Sequence, residues 1–522
     1  MSAARASSTT LLALVLCACT GGDDGDSQGN DEQGTSSSSA GTSESSGSTG
    51  SSESSSETTT TIDTSDSSDS DSTTGDELPE GCLPDVFDHA PPPTTIDGLP
   101  AVPIDVLSLD AQLSFDAGAQ SAQAESTLVF QLGAAGGMPI FDLRQVITAA
   151  SLDGEPLGSG QYALHDFGRG LDAGFRILEV ELEPCSIHTL ELSHAIAQPN
   201  APLSGGLTYA SAPARLYFDV YMSDLQPGRY LESWLPANLP FDRHPISLQI
   251  ELLGAEAQHD MIANTTINGI GATQWQLEFP DTTRAMSPLI VLVPSEEISA
   301  LGGIHDTNGQ ALNYRVYRNV SVDTPIEAIE LELLAALDEF ALSTGPFVHE
   351  SMAAYVGVGL RSMEYAGALT AEPDNLRHEV FHSWWARGVL PATYADGWID
   401  EAWTMYNTTP GFSLTSEPFE PSDPPVLLYD PHPFARDTPD AAYVEGRSFF
   451  AGLAAIVGVE PLRDAMAELY LDIGPHGSLT TAMLERHLYC TTGELPELRQ
   501  AFWRYVYGQV DAVPAVAPDY CA

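Results

Sequence analysis

Two hydrophobic rhythms share this chain, and one gives way to the other near residue 305. In RILEVELE, Leu178, Val180 and Leu182 fall on one face, and Glu179, Glu181 and Glu183 on the other. ISLQIELL places Ile246, Leu248, Ile250 and Leu252 together, and STLVFQL does the same with Leu128, Phe130 and Leu132. A period of two predicts half-buried antiparallel strands, and stretches such as DGEPLGSG supply the turns between them. Residues 96–305 therefore predict an antiparallel β-saddle or sandwich. From 306 to 522 the texture is mainly α-helical. Thr324 and Pro325 predict an N-cap and a first helical residue, and IEAIELELLAALDEFAL carries that helix to Gly345. A strand, AAYVGVGL, follows it. Helices are expected at HEVFH, from Trp398 to Tyr406, and between Tyr443 and Tyr507, and a proline-rich ordered loop over 409–440. The expected fold is multidomain, a β-rich unit followed by a mainly helical one.

Residues 20–95 have a different character. Up to about residue 80 they are almost entirely Ser, Thr, Gly, Asp and Glu, with nothing to bury, which predicts a disordered, extended stalk. The stalk contributes part of a formal net charge of -54, from 73 acidic and 19 basic residues. That balance excludes nucleic acid as a partner, because phosphate binding needs a basic surface. Ahead of the stalk, Arg5 and the apolar run Leu11 to Leu16 form a signal segment too short to span a bilayer. It ends in Leu16-Cys17-Ala18-Cys19, which resembles the bacterial lipobox. The resemblance implies a signal peptide over residues 1–19 and a lipid on Cys19. A protein exported and anchored to the cell envelope, at the outer membrane or cell surface, is the expectation. Beyond the signal, Cys82, Cys185, Cys490 and Cys521 can form disulfides in that setting. Four cysteines allow three pairings, and proximity favours Cys490 with Cys521 and Cys82 with Cys185.

The chemistry concentrates in HEVFHSWW, residues 378–385. His378 and His382 are four apart, which on a helix puts both imidazoles on one face within reach of one ion. Glu379 follows the first histidine and can take a proton from a water activated at such an ion without being a ligand. One Zn2+ suits two imidazoles and a carboxylate, with a fourth position open. Eighteen residues, 383 through 400, precede Glu401. A loop through Gly388 and Pro391 can return the chain as a second helix that presents Glu401 beside the histidines. A purely structural polar stripe would leave two histidines and two carboxylates converging without partners, which is costly.

HEVFHSWW followed by Glu401 resembles the M1 family of zinc aminopeptidases, of the gluzincin clan. RSMEYAGAL resembles that family's G-x-M-E-N/Y strand, and AYVEGRSFF its Y-x-K-G segment. The resemblance covers roughly residues 100 to 510 and implies a thermolysin-like zinc peptidase domain behind a β-saddle. It implies that Glu364 binds the free α-amino group of a peptide substrate and that Tyr443 stabilises the tetrahedral intermediate. Glu232, in RYLESWLP, is a further candidate for the amine.

The chain also leaves the family pattern. Ala386-Arg387 stand where the family has Gly-Asn, Asp400-Glu401-Ala402 replace Asn-Glu-Gly, and Glu445 replaces a lysine. The chain ends soon after residue 507, which predicts a more open cleft than in members with larger C-terminal helical domains. Three functions are compatible: a lipid-anchored zinc aminopeptidase, a non-catalytic surface-binding lipoprotein that keeps the fold, and a zinc endopeptidase.

Overall fold

The structure, a computed structural model, describes residues 82, 85–197, 206–420 and 423–521. The signal segment with its lipobox at Cys19 and most of the expected stalk lie outside the described residues. The stalk's last part is not stalk at all. Cys82 is joined to Cys185, Val86 is buried, and Thr94–Ile96 is a strand paired with Leu99–Val102. Apolar residues return at Cys82, and the described residues from there on take part in the fold.

The N-terminal unit is a sandwich of unequal sheets. Its large sheet has eight strands, in the order Thr266–Gly271, Gln274–Phe279, Ile246–Leu253, Ile104–Asp116, Ser121–Leu132, Ile187–Ile196, Val146–Leu152 and Glu155–Pro156. The period-two positions point inward as expected: Ile246, Leu248, Ile250, Leu252, Leu128, Phe130 and Leu132 are all buried. A four-stranded sheet, Leu207–Ser211, Ala214–Asp219, Ile290–Pro294 and His259–Ala263, contributes to the same core. Phe115 from the large sheet meets Phe218 from the small one at 4.9 Å between centroids, and Trp234 closes on Phe218 at 4.9 Å.

Two expectations for this unit need correction. The large sheet is not wholly antiparallel, since Ile246–Leu253 runs parallel to Ile104–Asp116. The chain between these neighbours builds other strands before returning, so no hairpin dictates their direction. The strand expected over RILEVELE is only Phe175–Ile177. Beyond it Leu178 donates its N–H to Pro139 and Leu182 bridges Gly137. The apolar residues still face inward, but the backbone bonds go singly to Pro139, Gln161 and Gly137 instead of to one continuous strand.

The second unit opens on a five-stranded sheet in the order Ile298–Thr307, Gln310–Asn319, Ser351–Val356, Ala368–Ala371, Met363–Tyr365. Its first strand starts ahead of the boundary expected at 306, because it is the hairpin partner of Gln310–Asn319. Helix α1 (Ile326–Ser343) is the crossover between two parallel strands, Gln310–Asn319 and Ser351–Val356. It starts one residue later than the sequence suggests. Pro325 is extended and its carbonyl accepts from Ala328 and Ile329, so proline is the N-cap and Thr324 makes no cap.

The remaining helices are α2 (Leu376–Phe381), α3 (Trp398–Thr408), α4 (Ala441–Val457), α5 (Val459–Ile473), α6 (Thr481–Thr491) and α7 (Pro496–Tyr505). Leu333 and Leu337 of α1, Val380 and Phe381 of α2, Trp398 and Ala402 of α3 and Phe450 of α4 share one core. Cys490 is bonded to Cys521, so both favoured disulfide pairings are present. Among the described residues no single helix is long and apolar enough to cross a membrane.

Candidate metal centre

The HEVFH motif occupies a helix of a turn and a half. A 3-10 turn at Pro373–Asn375 leads into α2, and His382 is its C-cap, still in the helical region. The chain then turns through Trp384 and Trp385, both buried, where Val389 donates to the Trp384 carbonyl. It re-enters as α3, anchored by Trp398, whose indole donates to Thr481. This return sets Glu401 against the two histidines, as the spacing predicts.

The three donors converge. His378 Nε2 and His382 Nε2 are 3.1 Å apart. Glu401 Oε2 lies 3.4 Å from the first and 3.6 Å from the second. Ligands held about 2 Å from a tetrahedral zinc stand roughly 3.3 Å from one another, so this triangle has the size such an ion requires. Glu401 Oε2 is buried and makes no hydrogen bond among the described residues, which marks it as an atom in want of a cation. Behind the ring, His382 Nδ1 donates to the Trp385 carbonyl at 3.1 Å and has Thr404 Oγ1 at 3.3 Å. His378 Nδ1 faces Thr408 Oγ1 at 3.3 Å. A proton on each Nδ1 leaves each Nε2 lone pair free for a metal. His378, His382 and Glu401 therefore fit zinc.

The electrostatics agree with a cation at this point. Burial alone would lower the His382 pKa, but Glu364, Glu401 and Glu379 carry it well above the usual histidine value. Burial would raise Glu401, and the neighbouring imidazoles instead hold it well below the carboxylate range. Glu379 goes the other way. Burial pushes it well above the ordinary value; His382 opposes, and the charges of Glu364, Glu401 and Asp224 add to the rise. A buried carboxyl with a raised proton affinity beside a candidate metal centre has the character of a group that can exchange a proton.

The other expected residues divide. Tyr443, on the first turn of α4, donates its hydroxyl to Glu401 Oε1 at 2.8 Å, so it stands at the centre. Glu364, in the strand Met363–Tyr365, has an oxygen that groups with Glu379 and His382 within 4.8 Å. It is also ion-paired with Arg387 Nη2 at 2.9 Å. Glu232 does not belong to the cleft. Its Oε1 accepts from Arg436 Nη2 at 2.5 Å, and that guanidinium also binds Asp142 at 2.5 Å, all deeply buried. Its position in RYLESWLP gave no hint of Arg436, 204 residues away.

Asp224 is a carboxylate at the centre that the sequence reading did not include. It faces Glu401, Glu364 and Asp400; desolvation and these charges hold its pKa well above the usual value. The sequence offers no signal for it, because an aspartate in a Ser-Asp-Leu-Gln-Pro-Gly turn has no diagnostic spacing. Asp400, beside Glu401, is pushed up to about 8 by burial and by Glu401.

No protein-family model matches the chain, and no curated protein matches it. Solved structures do. An M1 zinc metallopeptidase mutant from Deinococcus radiodurans, bound to a Tyr-Ser-Ala substrate, is 15% identical with a TM-score of 0.56, over 83% of this chain and 99% of that one. The non-mutant structure of the M1 zinc metallopeptidase from Deinococcus radiodurans is 16% identical with a TM-score of 0.55, over 83% of this chain and 100% of that one. Legionella pneumophila aminopeptidase A, in complex with aspartic acid, is 12% identical with a TM-score of 0.57. This chain spans about half of it: the likeness covers 79% of this chain and 51% of that one. At these identities the likeness speaks for architecture, and the architecture of this chain is the fold of the M1 zinc metallopeptidases.

Proposed function

We propose that the chain is a zinc-dependent peptidase that removes residues from the amino end of peptides, with His378, His382 and Glu401 holding one Zn2+. The observation that carries this reading is the triangle of donors 3.1 to 3.6 Å apart with Glu379 beside it. Bound there, zinc supplies Lewis acidity, polarising the scissile carbonyl and acidifying a water. Glu379 is the general base: it accepts the proton of the attacking water and returns it to the leaving amine. Tyr443 turns its hydroxyl from Glu401 to the oxygen on which charge develops. Glu364 and Asp224 receive the substrate's α-ammonium, which orients the peptide with its amino end at the centre. Export and a lipid on Cys19 would place this activity at the cell envelope, on the strength of the leader sequence.

One observation favours a second reading, an endopeptidase on the same metal: the Glu364 carboxylate already has a cation, Arg387. A panel of free and N-terminally blocked peptides separates the two, run with and without chelator on wild type and Glu379→Gln. We expect release of N-terminal residues that chelation abolishes and Glu379→Gln lowers by about 10²–10⁴-fold with zinc still bound. Zinc-loaded, folded protein inert on the whole panel would sink both readings and favour a surface-binding role.

A further inference from the structure

Arg387 is the least expected residue of the cleft. It is 2% exposed, and its guanidinium reaches the Glu364 carboxylate. Its backbone N–H donates to the carbonyl of His382 at 3.0 Å, so it is tied to a candidate zinc ligand. Nη1 donates to the Ala386 carbonyl at 3.1 Å, and Nη2 lies 2.9 Å from Glu364 Oε1. Neither Nε nor Nη2 makes a hydrogen bond among the described residues, so Arg387 meets Glu364 as a charge and not as a hydrogen-bond donor. The residue before it, Ala386, has φ 116°, a conformation that a side chain bearing Cβ rarely adopts. Such strain persists only where the surroundings enforce it, and here it delivers a guanidinium to Glu364.

We infer that Arg387 is a specificity-determining positioning residue: it acts through Glu364 to relax the requirement for a free α-ammonium. This rests on the reading that peptides enter with their amino end toward Glu364. A buried carboxylate selects an ammonium strongly when the incoming cation is its only partner, because a neutral terminus strands it. Glu364 is not in that position. Its charge is met by Arg387 before any substrate arrives, so a blocked terminus leaves no orphaned anion. The ammonium must instead share Glu364 with the guanidinium and rely on Asp224, whose carboxyl lies among Glu401, Glu364 and Asp400.

The test measures binding, so that it does not depend on turnover. Leucine hydroxamate and N-acetyl-leucine hydroxamate, which differ in the free amine, are titrated calorimetrically into the zinc-loaded full chain. Wild type should bind the two within about tenfold of each other, and Arg387→Asn should widen the preference for the free amine by about tenfold or more. Arg387→Lys, which keeps the charge, should restore the wild-type ratio. A wild-type preference beyond about 100-fold overturns the inference, as does a ratio unmoved by Arg387→Asn, or binding of neither probe. If neither variant folds, the wild-type ratio decides alone. Peptide turnover with an unmoved ratio would keep the proposed function and remove this inference. Hydroxamate binding with the expected ratios but no turnover of any peptide would do the reverse.

Discussion

Tyr443 shows how much chemistry hangs on single hydroxyls and rings here. Its oxygen donates a hydrogen bond to a candidate zinc ligand, Glu401. Tyr443→Phe should lower kcat about 10²-fold with little change in KM or zinc content, since only the transition state calls on that donor. His349 makes a prediction about pH. It is buried, with Nε2 donating to the Ser383 carbonyl at 3.0 Å, and burial first, then the nearby His476, pushes its pKa down to about 3. The folded state thus holds His349 neutral where the unfolded chain would protonate it. Its contribution is intact above pH ~6.5 and is lost as pH falls toward 3, at up to ~1.4 kcal/mol per pH unit. Denaturant unfolding measured across that window should show a shallower acid slope in His349→Gln, which keeps a donor but cannot titrate. At this scale His378, Glu379 and His382 are legible because helical periodicity makes their geometry local. Asp224 and the partner of Arg387 are illegible because both depend on chain segments far away in sequence.

The centre is assembled by helices that pass very close to each other. Gly446 of α4 sits against Ala402 of α3, where a Cβ on the glycine would come within 2.6 Å of the alanine's Cβ. Ala402 is the neighbour of Glu401, so the closeness of these helices sets where the third ligand stands. Gly446→Val should cost roughly 1–3 kcal/mol by overpacking and should weaken zinc retention, measured by competition with a chromogenic chelator. Retention equal to wild type would show that α3 is held independently of α4. Elements were legible where a strand or helix carries its own period, as in ISLQIELL. RILEVELE kept its inward and outward faces but lost its strand, because its hydrogen bonds are scattered over separate segments. The parallel pairing of Ile104–Asp116 with Ile246–Leu253 was also beyond reach, since periodicity carries no direction.

For the whole molecule, the two units are held by charge as well as by apolar packing. Arg436, from the long loop before α4, reaches Asp142 and Glu232 of the N-terminal unit and donates to the Gly174 carbonyl at 3.0 Å. Asp142 is also bound by Arg144. Arg436→Ala leaves Glu232 buried without a counterion and should destabilise the chain by about 3–5 kcal/mol in denaturant unfolding. Loss below about 1 kcal/mol would mean that the units hold together by packing alone. The general layout, a β-rich unit and then a helical one, was legible from the change of period, while this joint was not. The disulfide between Cys82 and Cys185 has a mechanical consequence. Cys185 lies just before the strand Ile187–Ile196, an inner member of the large sheet. A pull on the chain ahead of Cys82 is therefore delivered to that sheet through a covalent link. The short pairing of Thr94–Ile96 with Leu99–Val102 lies off the load path and bears none of the tension.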